Sequence, residues 1–438
     1  MAHYRATLRL GFPIAIGQLG TIVLTFADTM MVGRYGTPEL AAASFVNSIF
    51  NLVTMIVLGY SYGITPLIAA HEGRGERAEA GEVLRRGVVA NLRFGAVLLA
   101  VFGGLYFFLD RLGQPAHLLP LLRPYYLGMW ASMWFVVLFS VVRQFMDGTT
   151  DTRTPMWILL GGNALNIGLN ALLIFGFAGF PEWGLLGAGV ATLISRILIA
   201  AATVGVILWS KRYAAYRQPL SPSPAETALH SVGEIHRKSW PVSAQLGLET
   251  FAFTFSAVMA GWLGELELAA YQILIALGTL GFTLYYSFAS AMSIRMAHFL
   301  AQADTAQAKA ACRAGRNVLL GNATLSSLIF WVGGSSLIGL FTPDGEVVAL
   351  AVALIPALVL YQYADALQIT FANALRATGY VLPMTGIALV AYMGVGVPAA
   401  WLLGFGVGWG LTGIYLSFTL CLLVAAVLFY HFFRRTLR

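Results

Sequence analysis

The sequence predicts an all-α integral membrane protein in which twelve transmembrane helices form two pseudo-symmetric six-helix bundles, a parallel duplicated repeat. Three observations carry this. The 438 residues are 58% hydrophobic and only 10% charged, against roughly 25% charged in water-soluble proteins. Twelve apolar runs reach the length of about 20 residues that crosses a hydrocarbon core. Finally, a ten-residue stretch recurs 228 positions on with six identities: Gly33-Arg-Tyr-Gly-Thr-Pro-Glu-Leu-Ala-Ala42 returns as Gly261-Trp-Leu-Gly-Glu-Leu-Glu-Leu-Ala-Ala270. Six runs fall in each copy, and an even number lets both copies insert the same way round.

The first run, 10–33, contains Pro13 and follows Arg5 and Arg9. It exceeds signal-peptide length and belongs to the repeat, so a retained helix is expected. The second run, 46–70, leads into Glu72–Arg86, where four Glu mix with four Arg; a surface helix with a solvated face is expected there. The third and fourth runs are 88–109 and 121–146. The fifth, 156–178, starts at Pro155-Met156, and the sixth, 184–210, follows Trp183-Gly-Leu-Leu-Gly187. Lys211 to Lys238, with Pro219, Pro222 and Pro224 among serines, reads as a linker. The second copy keeps this order. Run 240–262 carries Pro241 in place of Pro13, and 268–298 follows the Glu-Leu-Ala-Ala echo. Run 316–341 follows a charged stretch, 301–316, in which Gly315 answers Gly87. After 347–375, run 384–406 starts at Pro383-Met384 and 409–433 at Trp409-Gly-Leu-Thr-Gly413. The expected domains are an N-terminal lobe 1–210, a cytoplasmic linker 211–238 and a C-terminal lobe 239–438. Pro13, Pro241, Pro66, Pro356 and Pro398 are candidate bending points, since proline removes a helical donor.

Charge sets the expected orientation. With the N-terminus inside, 22 of the 26 Lys and Arg fall on the inner side, three (Arg34, Arg111, Arg123) lie outside, and Arg196 sits within a span. This positive-inside asymmetry puts both termini in the cytoplasm. The basic balance therefore reports topology, and no compact basic patch calls for nucleic acid. Cys312 and Cys421 lack C-x-x-C spacing, and the histidines lack metal-ligand spacing. Gly59-Tyr-Ser-Tyr-Gly63 and Gly404-Phe-Gly-Val-Gly408 resemble a nucleophile elbow and a phosphate loop, but each lies in an apolar helix rather than after a strand.

The chemistry concentrates in three acids placed inside spans: Asp28 in the first, Glu249 in the seventh and Asp365 in the tenth. A charged side chain at the bilayer centre costs at least about 2.5–3.5 kcal/mol, so such groups face a cavity, a cation or a partner. With Arg196 as the single intramembrane base, the interior is expected to attract cations. Tyr361, Asp365 and Gln368 share one helix face, and a carboxylate beside a phenol suits a proton or an oxygen-ligated sodium ion. Glu249 lies near the midplane. Asn163, Asn166 and Asn170 stripe the fifth run, and Asn166 and Asn170 match the depth of Asp28. The alternative is that these groups pair with Arg196 or with one another only to hold helices together.

Together these residues resemble the multidrug and toxic compound extrusion (MATE) family over nearly the full length. The resemblance is carried by Pro13 with Gln18, Ala27-Asp-Thr-Met-Met-Val-Gly33, Pro241 followed by Glu249, and Tyr361-Gln-Tyr-Ala-Asp-Ala366 leading to Leu375-Arg-Ala-Thr-Gly379. It implies a cation-coupled antiporter of two six-helix lobes, without a cofactor, coupled to Na⁺ or H⁺. Within the family the chain looks most like the NorM branch. Glu249, Asp365 and Tyr361 match that branch's C-lobe group, and Asp28, Asn166 and Asn170 match an N-lobe cation group. Asn170 stands where some relatives carry a second aspartate, leaving Asp28 as the only expected charge there. Glu249, Asp365 and Asp28 are accordingly the candidate Na⁺ ligands. Implied partners are small organic cations and the lipid bilayer, with no nucleic acid, for a monomer in the bacterial cytoplasmic membrane. A lipid or polysaccharide-precursor flippase of the same superfamily would want a basic cavity. An intramembrane prenyltransferase would want clustered aspartates for magnesium diphosphate, and none occurs.

Overall fold

The computed structural model describes residues 2–112, 115–218 and 231–437, all of it helix, turn or short connection with no strand. Twelve spans result. The first half holds α1 (Ala2–Tyr35), α2 (Thr37–Tyr62), α3 (Arg77–Leu105), α4 (Leu119–Gly148), α5 (Arg153–Phe175) and α6 (Gly184–Trp209). The second holds α7 (Val232–Leu263), α8 (Glu265–Ala301), α9 (Thr305–Gly339), α10 (Ile355–Ala377), α11 (Pro383–Gly406) and α12 (Gly410–Thr436).

Several expected irregularities have visible causes. At Gly63-Ile64 α2 breaks and resumes as Thr65–Arg74, with Pro66 in the first turn where its missing N–H costs nothing. A 49° bend joins the arm Gly345–Ala353 to α10, with Pro356 at the start of the second segment. In α11, residues 389–396 and 402–406 widen into π turns on either side of Pro398, whose ring cannot fit a regular ladder. Pro13 and Pro241, by contrast, lie inside unbroken helices. The charged stretch from Glu72 to Arg86 is not one surface helix. Gly75 (φ 78°) ends the first segment in a left-handed cap, and the rest opens α3. The linker's Pro219, Pro222 and Pro224 lie outside the described residues.

The chain divides into two compact units. One comprises Met1–Ala15 with Ala244–Arg438, the other Ile16–Ser243. These bounds differ from the sequence halves by two segments, because α1 and α7 each change unit two residues beyond their proline. The opening of α1 is held within its unit by the Arg295 guanidinium, which donates to the Thr7 hydroxyl (2.9 Å) and the His3 carbonyl (2.8 Å).

The duplicated motifs mark points where helices approach closely. Gly184 and Gly410 both adopt φ 55°, accessible to glycine without strain. At Gly187 an added Cβ would strike the Leu173 carbonyl, and at Gly413 that of Leu403. Each pair of preceding and following helices therefore meets backbone to backbone. In an apolar solvent, where hydrophobicity does not favour helix association, such van der Waals contact is what holds helices together. Val97, Leu325, Leu328, Val332 and Val427 stay exposed, as residues facing lipid tails do.

Candidate functional site

Each unit contains a polar group buried among apolar helices. In the unit Ile16–Ser243, a cavity of about 500 Å³ is lined by Gln18, Asp28, Asn47, Tyr125, Asn166 and Arg196, among others. Asp28 reaches it from α1, and the asparagine stripe of α5 faces inward. Asn163, Asn166 and Asn170 are all buried. Asn170 Nδ2 donates to Asp28 Oδ1 at 2.5 Å and to Asn166 Oδ1 at 3.0 Å. Asn166 Nδ2 in turn lies 3.5 Å from Thr192 Oγ1. The structure thus joins the three residues that the sequence placed at one depth. Asp28 also borders a cavity of about 20 Å³, shared with Asn47, Tyr125 and Thr192, enough for one water-sized species.

The charges here differ from the expectation of a single intramembrane base. Arg196 donates to Ser132 Oγ at 2.7 Å and acts on Asp28 through the field rather than by contact. Arg143 also lines the cavity, buried and 3.6 Å from the buried Asp147. Two arginines therefore face two aspartates in this unit. Arg196 does not pair with Glu249 or Asp365, which belong to the other unit.

In that other unit, Glu249 (α7), Tyr361, Asp365 and Gln368 (α10) are all buried. Gln245 Nε2 donates to Glu249 Oε2 at 2.8 Å, and Tyr392 stands at the same carboxyl. Gln368 Nε2 donates to the Tyr392 hydroxyl at 2.8 Å, so a chain runs from α10 through α11 to Glu249. Tyr361 meets Phe253, Tyr415 and Phe418 at ring separations of 6.1–6.3 Å. Asp365 is different: 1% exposed, it has no hydrogen-bond partner on either oxygen among the described residues. Glu249 lies close enough for its charge to act on Asp365, which sharpens the imbalance. The buried base of this group is Arg376, which contacts the Tyr286 hydroxyl at 2.8 Å and acts electrostatically on Glu249. A pocket of about 10 Å³ touches Gln245, Glu249, Gln368 and Arg376.

Sequence reasoning missed Arg143, Asp147 and Arg376 because each sits at the inner end of a span and reads as loop charge. It missed Gln245 too, although a glutamine four residues before a midplane glutamate is a helical neighbour. Among the described residues no three His, Cys, Asp or Glu side chains converge on a metal position. A cation here would rest on one or two carboxylates completed by Tyr, Gln and Asn oxygens, a hard-oxygen set that suits Na⁺ or a proton.

Comparisons with known proteins agree with this architecture. The MatE family model matches residues 13–172 and 241–402, one match in each copy of the repeat. The chain is 30% identical over 443 residues to the probable multidrug resistance protein NorM of Rhizobium meliloti (strain 1021), covering 100% of this chain and 94% of that one. It is 29% identical to the multidrug resistance protein PmpM of Pseudomonas aeruginosa, covering 92% of this chain and 84% of that one. The fold superposes on the crystal structure of the eukaryotic MATE transporter AtDTX14 with a TM-score of 0.89 at 20% identity, covering 100% and 98% of the two chains. The protein therefore belongs to the MatE family and is a multi-pass membrane transporter of the twelve-helix MATE fold, not an enzyme.

Proposed function

We propose that the protein is a multidrug antiporter of a bacterial cytoplasmic membrane. It exports hydrophobic organic cations in exchange for Na⁺ or H⁺ by alternating access, with both termini cytoplasmic. The observation that carries this reading is Asp365, a buried carboxyl with no donor on either oxygen among the described residues. A protein gains nothing in stability from such a group, because an unsatisfied buried polar group costs about 1–3 kcal/mol and a charged one more. Its retention fits a group that is neutralised in turn by a coupling cation and by a cationic substrate. Glu249 shares the field of Asp365 and supplies a second carboxylate. Tyr361, Phe253 and Phe418 supply ring faces, which attract organic cations without fixing their shape. Exchange follows if the two ligands exclude each other on these carboxylates. Asp28 would provide a second cation position beside the larger cavity, tempered by Arg196.

A second reading, transport of an anionic lipid precursor, is favoured by one observation: Arg143 and Arg196 both line the 500 Å³ cavity. Arg143 is offset by Asp147 and Arg196 by Asp28, so no unbalanced base remains to hold an anion, and the cationic reading is preferred. The test is ethidium binding to purified protein, followed by fluorescence during separate titrations with NaCl and with acid. The expected result is displacement by at least one of the two and its loss in Asp365→Asn. If both titrations leave ethidium affinity unchanged, the exchange reading fails.

A further inference from the structure

Another cavity, whose lining includes none of Asp28, Glu249 and Asp365, lies where α9, α10 and α12 meet. It measures about 710 Å³ and is lined by Lys309, Arg313, Arg316 and Arg434, with Phe371 and Tyr430. The first three share one face of α9 at four- and three-residue spacing. None of the four cations is in an ion pair among the described residues, and the cavity lining contains no carboxylate. Phe371 and Tyr430 stack obliquely at 4.9 Å along one wall.

The internal repeat offers a comparison, since the corresponding groove of the first half is filled. The counterparts of the lining positions in the first half lie on α3, α4 and α6. There, Leu84, Val204 and Ile207, the counterparts of Cys312, Tyr430 and Phe433, pack into one core with Tyr213 and Tyr216, the start of the linker. The linker backbone presses so closely that a Cβ at Gly81, the counterpart of Lys309, would strike the Tyr216 carbonyl. The first half thus fills its groove with its own chain. No described residue fills the second, and three of its positions have become cationic: Lys309 for Gly81, Arg316 for Val88 and Arg434 for Leu208.

From the cavity a track descends α12. Leu420, Leu423, Val427 and Tyr430 are exposed at three- and four-residue steps, on the face that ends at Arg434. Apolar surface running into a cluster of cations matches a molecule with an anionic head and a hydrocarbon tail. A free anion would use the cations and leave the track bare.

We infer that the α9–α10–α12 cleft is a binding site for an anionic phospholipid: its phosphate headgroup sits among Lys309, Arg313, Arg316 and Arg434, and an acyl chain lies along Leu423 and Val427. The lipid wedges α9 against α12 independently of substrate chemistry.

The test uses the full-length protein in phosphatidylcholine nanodiscs, with phosphatidylglycerol added in steps and bound lipid counted by native mass spectrometry alongside the melting temperature. Wild type should retain phosphatidylglycerol over phosphatidylcholine and melt at a higher temperature with it, whereas inorganic phosphate at equal concentration should give no shift. Arg313→Gln/Arg316→Gln should lower phosphatidylglycerol retention at least tenfold, and Arg313→Lys/Arg316→Lys should keep most of it. Arg77→Gln/Arg237→Gln, which removes the same charge elsewhere on the basic face, should behave as wild type. An equal shift with inorganic phosphate would overturn the lipid assignment. Equal retention in the glutamine pair, or equal loss in the Arg77/Arg237 pair, would overturn the site.

Discussion

Replacing Asp365 by Asn should make the protein more stable and less useful. The side chain is 1% exposed and both its oxygens lack partners among the described residues. Asn leaves an amide as unpartnered as the carboxyl, so what it relieves is the excess cost of a charged buried group over a neutral one, on the order of 1–3 kcal/mol. For a cooperative unit of some two hundred residues, each kcal/mol moves the melting temperature by roughly 2–4 °C. The expected gain is therefore about 2–12 °C, read as the unfolding midpoint in detergent at neutral pH. Glu249→Gln is the internal comparison. Glu249 already accepts from Gln245 at 2.8 Å, a bond the amide oxygen of its neutral replacement can keep, so its charge is partnered where that of Asp365 is not, and a midpoint within about 2 °C of wild type is expected. Both variants should lose gradient-driven efflux of ethidium. A fall of several degrees for Asp365→Asn, or wild-type efflux in it, would show that Asp365 serves the fold and not the transport cycle.

Asp28→Asn keeps the shape of the Asp28–Asn170 contact and removes its charge, so efflux should fall strongly under whichever gradient drives wild type; unchanged rates under both would reduce Asp28 to a packing residue. Asn166→Ala should impair efflux in part while the protein still inserts, as judged by its yield in the membrane fraction. Gly187→Val should cost roughly 3 kcal/mol or more, seen as lost folded protein, because the new side chain meets the Leu173 backbone rather than a movable group. Single cysteines placed between positions 219 and 230 should resist an impermeant thiol reagent applied to intact cells; labelling from outside would invert the orientation.

The architecture was legible because its signals are local or repeated. Each span is an apolar run, and the bend at Pro356 follows from a missing donor. The Trp-Gly-x-x-Gly echo marks the close approaches of Gly187 and Gly413. What escaped was set by contacts between residues distant in sequence. Pro13 and Pro241 mark the neighbourhood of Ala15 and Ser243, but a proline says only that a helix can bend, not that α1 and α7 change unit there. The site followed the same division. Asp28, Asn166 and Asn170 were placed together by depth along two spans, and Tyr361, Asp365 and Gln368 by helical spacing. Arg376 and Arg143 escaped because basic residues at the inner ends of spans normally reach water, whereas these two turn inward and are buried. Tyr392 escaped because it lies in the π turns of α11, where the side-chain direction departs from regular helical spacing.

The central claim is coupled exchange of an organic cation for Na⁺ or H⁺. Its most direct test is ethidium movement in proteoliposomes of purified protein, driven by a sodium gradient alone and then by a pH gradient alone. The account predicts uphill movement under at least one gradient, opposite in direction to the driving ion and abolished in Asp365→Asn. Movement that needs neither gradient, or that persists at the wild-type rate in Asp365→Asn, would contradict it.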